Sequence, residues 1–117
     1  MSAMKANLSA LTDRFHKDVM ISEDQFPQNP IGGYGQYDPA GANYPDTLPG
    51  YLVTPAGQAS YQRDLVSLMA SLPDHKGLGV YYWNGDATSY LGMFAYPGIA
   101  LPVIDANQIG TTPTAGS

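Results

Sequence analysis

The side chains with the means to do chemistry here are carboxylates and aromatics. Glu23 closes the run Asp18-Val19-Met20-Ile21-Ser22-Glu23 with Asp24 directly behind it, and Asp38, Asp46 and Asp86 are scattered further along. A carboxylate can serve as a general acid or base when its surroundings hold it against a substrate, but residue type alone assigns none of these to a task. Trp83 closes a second run, Gly77-Leu78-Gly79-Val80-Tyr81-Tyr82-Trp83. An indole at such a place either fills a core or offers a flat apolar face to a ligand. Tyr34, Tyr37 and Tyr44 read as anchors of their own segment. His16 falls at a helix end and His75 in a turn, with no second ligand near either in sequence, and both read as surface residues. Asp38, Asn43 and Asp46 are rich in oxygen, yet their spacing matches no calcium loop, so neither a metal nor a cofactor is expected.

The elements that must carry these residues follow from periodicity. Met4, Leu8, Leu11 and Phe15 recur at helical spacing, which predicts a helix that ends near His16 and buries one stripe. The run 18–23 is β-prone and apolar on successive residues, as suits a strand covered on both faces. Residues 24–53 have no period and hold five prolines and five glycines, which predicts a long loop. Thr54-Pro55 reads as an N-cap with proline at the first helical position, and Tyr61, Leu65, Leu68, Met69 and Leu72 continue that helix to Pro73. Residues 77–83 are a second buried strand, 101–109 a brief helix, and 111–117 a frayed tail.

Helix, strand, loop, helix, strand and short helix in this order imply parallel strands joined by a crossover. Period-two geometry puts Val19, Ile21 and Glu23 on one side of the first strand, and Gly79, Tyr81 and Trp83 on one side of the second, with Tyr82 opposite. Two parallel strands make a poor sheet, since each expects cover on both faces and further neighbours.

The totals set limits. Five Lys plus Arg against ten Asp plus Glu give a net charge of −5, which disfavours nucleic acid and anionic membrane surfaces as partners. There are no cysteines, so disulfide and thiolate chemistry are excluded. The N-terminal residues do not read as a signal peptide, no apolar run is long enough to span a membrane, and a soluble chain is expected.

Three stretches in order carry a resemblance: Thr54-Pro55-Ala56-Gly57-Gln58, then Lys76-Gly77-Leu78-Gly79-Val80-Tyr81-Tyr82-Trp83, then Leu101-Pro102-Val103-Ile104-Asp105-Ala106. Together they resemble glycoside hydrolase family 53, the arabinogalactan endo-β-1,4-galactanases. The resemblance implies an α/β chain, the C-terminal fragment of a (β/α)8 barrel holding its last two parallel strands, their helices and a long loop. Residues 1–110 would be that partial barrel domain, and a whole barrel needs roughly 250 residues.

Asp18 to Glu23 is similar to the family's seventh strand, which implies that Glu23 is the catalytic nucleophile. The same resemblance makes Trp83 the sugar-stacking platform. It implies a retaining hydrolase of β-1,4-galactan, a substrate drawn from plant arabinogalactan, and a secreted protein. Two departures stand out: Asn84-Gly85 replaces the family's Glu-Pro, and Asp86 to Tyr90 replaces a long aromatic insert. Retaining glycosidases use two carboxyl groups about 5 Å apart. The resemblance puts the acid/base on a strand that these residues do not contain, so the missing part of the barrel is an expected partner and the isolated chain is expected to be inactive. The alternative is a non-catalytic polypeptide that binds carbohydrate or associates with itself through open strand edges.

Overall fold

The computed structural model describes residues 1–29, 47–83, 85, 91–95 and 97–106. The frayed tail and most of the long loop therefore lie outside the described residues, as do Tyr34, Tyr37, Asp38, Asn43, Tyr44, Asp46 and Asp86.

Helix α1 spans Ser2–Phe15 and ends where His16 turns left-handed, its N–H donating to the Thr12 carbonyl at 2.8 Å. The stripe expected on this helix is not buried as a stripe. Leu8 packs inward, but Met4, Leu11 and Phe15 stay exposed, and the one buried side chain is Thr12, whose hydroxyl donates to the Ser9 carbonyl. A helix buries only as much as its neighbours cover, and here Leu8 alone of the stripe joins the cluster formed by Val19, Ile21 and Val80 of the sheet with Leu68, Met69 and Leu72.

Strand β1, Val19–Asp24, pairs in parallel with β4, Gly77–Tyr82, as the crossover argument requires. The connection includes α2, Pro55–Ala70, which Thr54 caps by accepting from the Gly57 N–H at 3.0 Å. Polypeptide geometry favours this start twice over, through the cap and through Pro55. Leu68, Met69 and Leu72 form a core with Leu8, Val19, Ile21 and Val80; a second cluster joins Ala59, Val103 and Ala106 to Tyr82, Met93 and Leu101. Burying each such large side chain contributes about 1.5–3 kcal/mol. Close approach of backbones makes two glycines necessary: a Cβ at Gly57 would overlap the Leu52 carbonyl, and one at Gly77 the Met69 carbonyl.

Three further details differ from the sequence reading. Residues 47–52 are not open loop but a small antiparallel ladder, β2 (Thr47–Leu48) with β3 (Tyr51–Leu52). A second ladder, β5 (Phe94–Ala95) with β6 (Ile99–Ala100), precedes α3, Val103–Ala106. Both strand pairs are too short to show a period. The third difference concerns β1. Val19 and Ile21 face the helical core, but Glu23 does not share their side, because the ladder to β4 shifts register between Ile21 and Asp24. An extra residue in one strand reverses every side chain beyond it.

One face of the β1–β4 pair is thus packed on helices. The other presents Met20, Leu78, Tyr81 and Trp83, all about half exposed or more. Among the described residues no helix is long and apolar enough to cross a membrane.

Candidate functional site

Glu23 and Trp83 stand side by side at the C-terminal ends of the two parallel strands. Trp83 follows β4 directly and remains tied to β1, its N–H donating to the Asp24 carbonyl at 2.7 Å. Its indole is 52% exposed, while Val80 and Tyr82 of the same strand turn to the helices, as alternation predicts. Glu23 is exposed through the register shift. A cavity of about 300 Å³ is lined by Glu23, Asp24, Gln25 and Trp83. The structure therefore brings together the two residues singled out in the sequence: a carboxylate able to act as nucleophile or base, and an aromatic face able to carry a ring.

Asp24 behaves differently from its neighbour. Its Oδ1 accepts from the Tyr61 hydroxyl of α2 at 2.7 Å, and its buried Oδ2 has no hydrogen-bond partner among the described residues. Burial pushes the carboxyl above its ordinary range, with the Tyr61 bond opposing that rise in part. Burial likewise raises the Tyr61 hydroxyl, and the bond to Asp24 adds to it, so the phenol keeps its proton and donates. Because this carboxyl turns toward α2, it does not form a catalytic pair with Glu23 across a substrate.

Behind the rim is an aromatic cluster. Phe26 stacks on Tyr61 at 4.7 Å between centroids, and Tyr51 meets both rings edge-on at 6.1 and 5.5 Å. The Tyr51 hydroxyl donates to Asp64 at 2.6 Å. Phe26 and Tyr51 accordingly anchor the ends of the 24–53 segment, the role expected of most aromatics there.

Gln58 was not legible as a site residue, though it sits in the Thr54–Gln58 stretch. It is fully buried, and the two protons of its amide nitrogen lie within reach of the Phe26 carbonyl, the Tyr82 hydroxyl and the 91–92 backbone. The signal available was a glutamine within the apolar stripe of α2, one turn ahead of Gln62 and two ahead of Leu65. His16 and His75 are exposed and distant in sequence, and among the described residues no three His, Cys, Asp or Glu side chains gather as metal ligands.

Two parallel strands joined by a helical crossover, with a carboxylate and an indole at their C-terminal ends, are the kind of unit from which a (β/α)8 barrel is built. The model of glycosyl hydrolase family 53 matches residues 1–110, and the chain belongs to that family. In structure it is similar to a family 53 catalytic domain from Ignisphaera aggregans, with a TM-score of 0.73 and 21% identity over 90% of this chain and 33% of that one. It is also similar to fungal β-1,4-galactanases, with a TM-score of 0.69 and 20% identity over 92% of this chain and 32% of theirs. An uncharacterized protein of the bgaB 5′ region of Niallia circulans is 29% identical over 87 residues, which are 72% of this chain and 23% of that protein. The chain thus spans about a third of the length of these solved structures and less of the curated relative.

Proposed function

We propose that this chain supplies the nucleophile strand and the sugar platform of a retaining endo-β-1,4-galactanase acting on plant galactan. The observation that carries the reading is the meeting of Glu23 and Trp83 at one cavity on adjacent parallel strands. A Glu23 carboxylate oxygen would attack the anomeric carbon, with the galactosyl ring resting its C–H face on Trp83. The leaving oxygen then needs a proton from a second carboxylic acid, which among the described residues no side chain is placed to give. We assign that acid to barrel strands outside residues 1–110, and those strands are the partner that the edges of β1 and β4, open among the described residues, would accept.

General acid–base assistance is worth about 10²–10⁴-fold, and the missing walls would orient substrate as well. These 117 residues alone are therefore expected to leave galactan uncut, and galactan turnover by the purified chain that Glu23→Gln abolishes would refute this. Binding is the more direct test. Isothermal titration with galacto-oligosaccharides should give weak binding that Trp83→Ala removes, and unchanged binding in that variant would sink the platform assignment. Export, implied by the resemblance, belongs to the same reading and is checked by fractionating the source cells.

A second reading is favoured by the exposed apolar face of Met20, Leu78 and Tyr81. Exposed apolar patches and unpaired strand edges promote association, so a non-catalytic, self-assembling polypeptide would show a large mass indifferent to sugar.

A further inference from the structure

Three stretches of chain converge beneath the Glu23–Trp83 rim, and one amide touches all of them. The Gln58 Nε2 lies 2.9 Å from the Phe26 carbonyl, 3.1 Å from that of Gly92, 3.4 Å from that of Leu91 and 2.8 Å from the Tyr82 hydroxyl. Carbonyl oxygens only accept, so the atom facing them is the amide nitrogen and not its oxygen. The Tyr82 hydroxyl has a single proton, which it donates to the Leu91 carbonyl at 2.7 Å. Its lone pairs are left to accept from Gln58 and from the Phe26 N–H at 3.2 Å. Gln58 is wholly buried, so its amide has no water to turn to when a partner moves.

The places of these partners in the chain give the node its consequence. Phe26 is three residues beyond Glu23, Tyr82 is the residue before Trp83, and Leu91 and Gly92 bring in the segment that follows. Neither Gln58 nor Tyr82 lines the cavity. We propose that Gln58, acting with Tyr82, is a positioning residue that sets where Trp83 stands relative to Glu23. The proposal rests on reading that pair as the sugar site, and it adds the residues that hold the pair in place. A carboxylate at position 58 would face three carbonyl oxygens and be repelled, so the node uses the donors of the amide nitrogen, while the amide oxygen is buried without a partner among the described residues.

Trp83 is the sequence's single tryptophan, so its indole N–H resonance in the full 117-residue chain reports on the site alone. In Gln58→Leu and in Tyr82→Phe that resonance is expected to move and broaden while helix content by circular dichroism stays at the wild-type level. Affinity for β-1,4-galactotetraose should fall about tenfold, as the loss of one or two buried hydrogen bonds implies. Leu65→Ala, a core truncation on the same helix, should lower Tm and leave the resonance where it was. Should Gln58→Leu fail to fold, Tyr82→Phe, which removes one oxygen and keeps the ring, decides the matter. Resonances that superimpose on wild type in the variants, or that move equally in Leu65→Ala, overturn the proposal. A wild-type chain that binds no galactotetraose overturns the sugar-site reading instead, and the resonance comparison still decides the positioning role.

Discussion

Glu23 and Asp24 are adjacent carboxylates with opposite surroundings: one stands exposed beside Trp83, the other is turned into α2 against Tyr61. Burial holds the Asp24 pKa above 3.8 in the folded protein, so the native state binds that proton more tightly than the unfolded chain does. The stability linked to this proton is fully present below an unfolded value of about 4 and is lost as pH rises through the folded value. Asp24→Asn should flatten this dependence and raise the urea midpoint toward neutral pH; equal slopes in variant and wild type between acid and neutral pH would remove the basis for it. Neither residue's role was evident from its type. The pattern marked Glu23 as a strand end, but regular alternation put it on the side of Val19 and Ile21. Only the register shift against β4 separates them, and a bulge leaves no trace in a six-residue run.

At the scale of elements, α2 was the most legible part of the chain, since cap, first-turn proline and apolar spacing all point one way. Thr54→Ala should cost about 1 kcal/mol through the lost bond to the Gly57 N–H, read from chemical denaturation. Gly57→Ala is a stricter test, because the added methyl meets the Leu52 backbone, which cannot swing aside as a side chain would. We expect a loss of about 3 kcal/mol, at the upper end of overpacking, and a near-neutral result would mean that β3 shifts freely. Helix α1 was legible as a helix but not in what it buries. Periodicity reports which residues share a face, whereas burial depends on what lies opposite, and here only Leu8 of the stripe reaches the cluster of Val19, Ile21, Val80 and the end of α2. The ladders 47–52 and 94–100 went unforeseen because two-residue strands carry no pattern to read.

For the whole molecule, the face of Met20, Leu78, Tyr81 and Trp83 is the dominant fact. Parallel sheets are ordinarily covered on both faces, and among the described residues this pair is covered on one. If further barrel strands are its natural cover, the chain by itself should associate reversibly. Light scattering should show a mass that grows with concentration, and Leu78→Glu with Tyr81→Glu should return it to monomer without loss of helix. A wild-type chain that stays monomeric at high concentration would count against both the missing-strand partner and the self-assembling reading.

The sequence by itself determined the strand–helix–strand order, the family and the two positions at the strand ends, because these rest on local signals: caps, periods and motif wording within a few residues. The tertiary structure decided which way each side chain points and what holds it there. The separation of Glu23 from Val19 and Ile21, the burial of Thr12 in place of a stripe, and the convergence of Phe26, Gln58, Tyr82 and Leu91 on one node depend on register, on what packs opposite, or on residues distant in the chain. Such contacts arise from packing and hydrogen-bond completion between elements, and no single stretch of sequence encodes them.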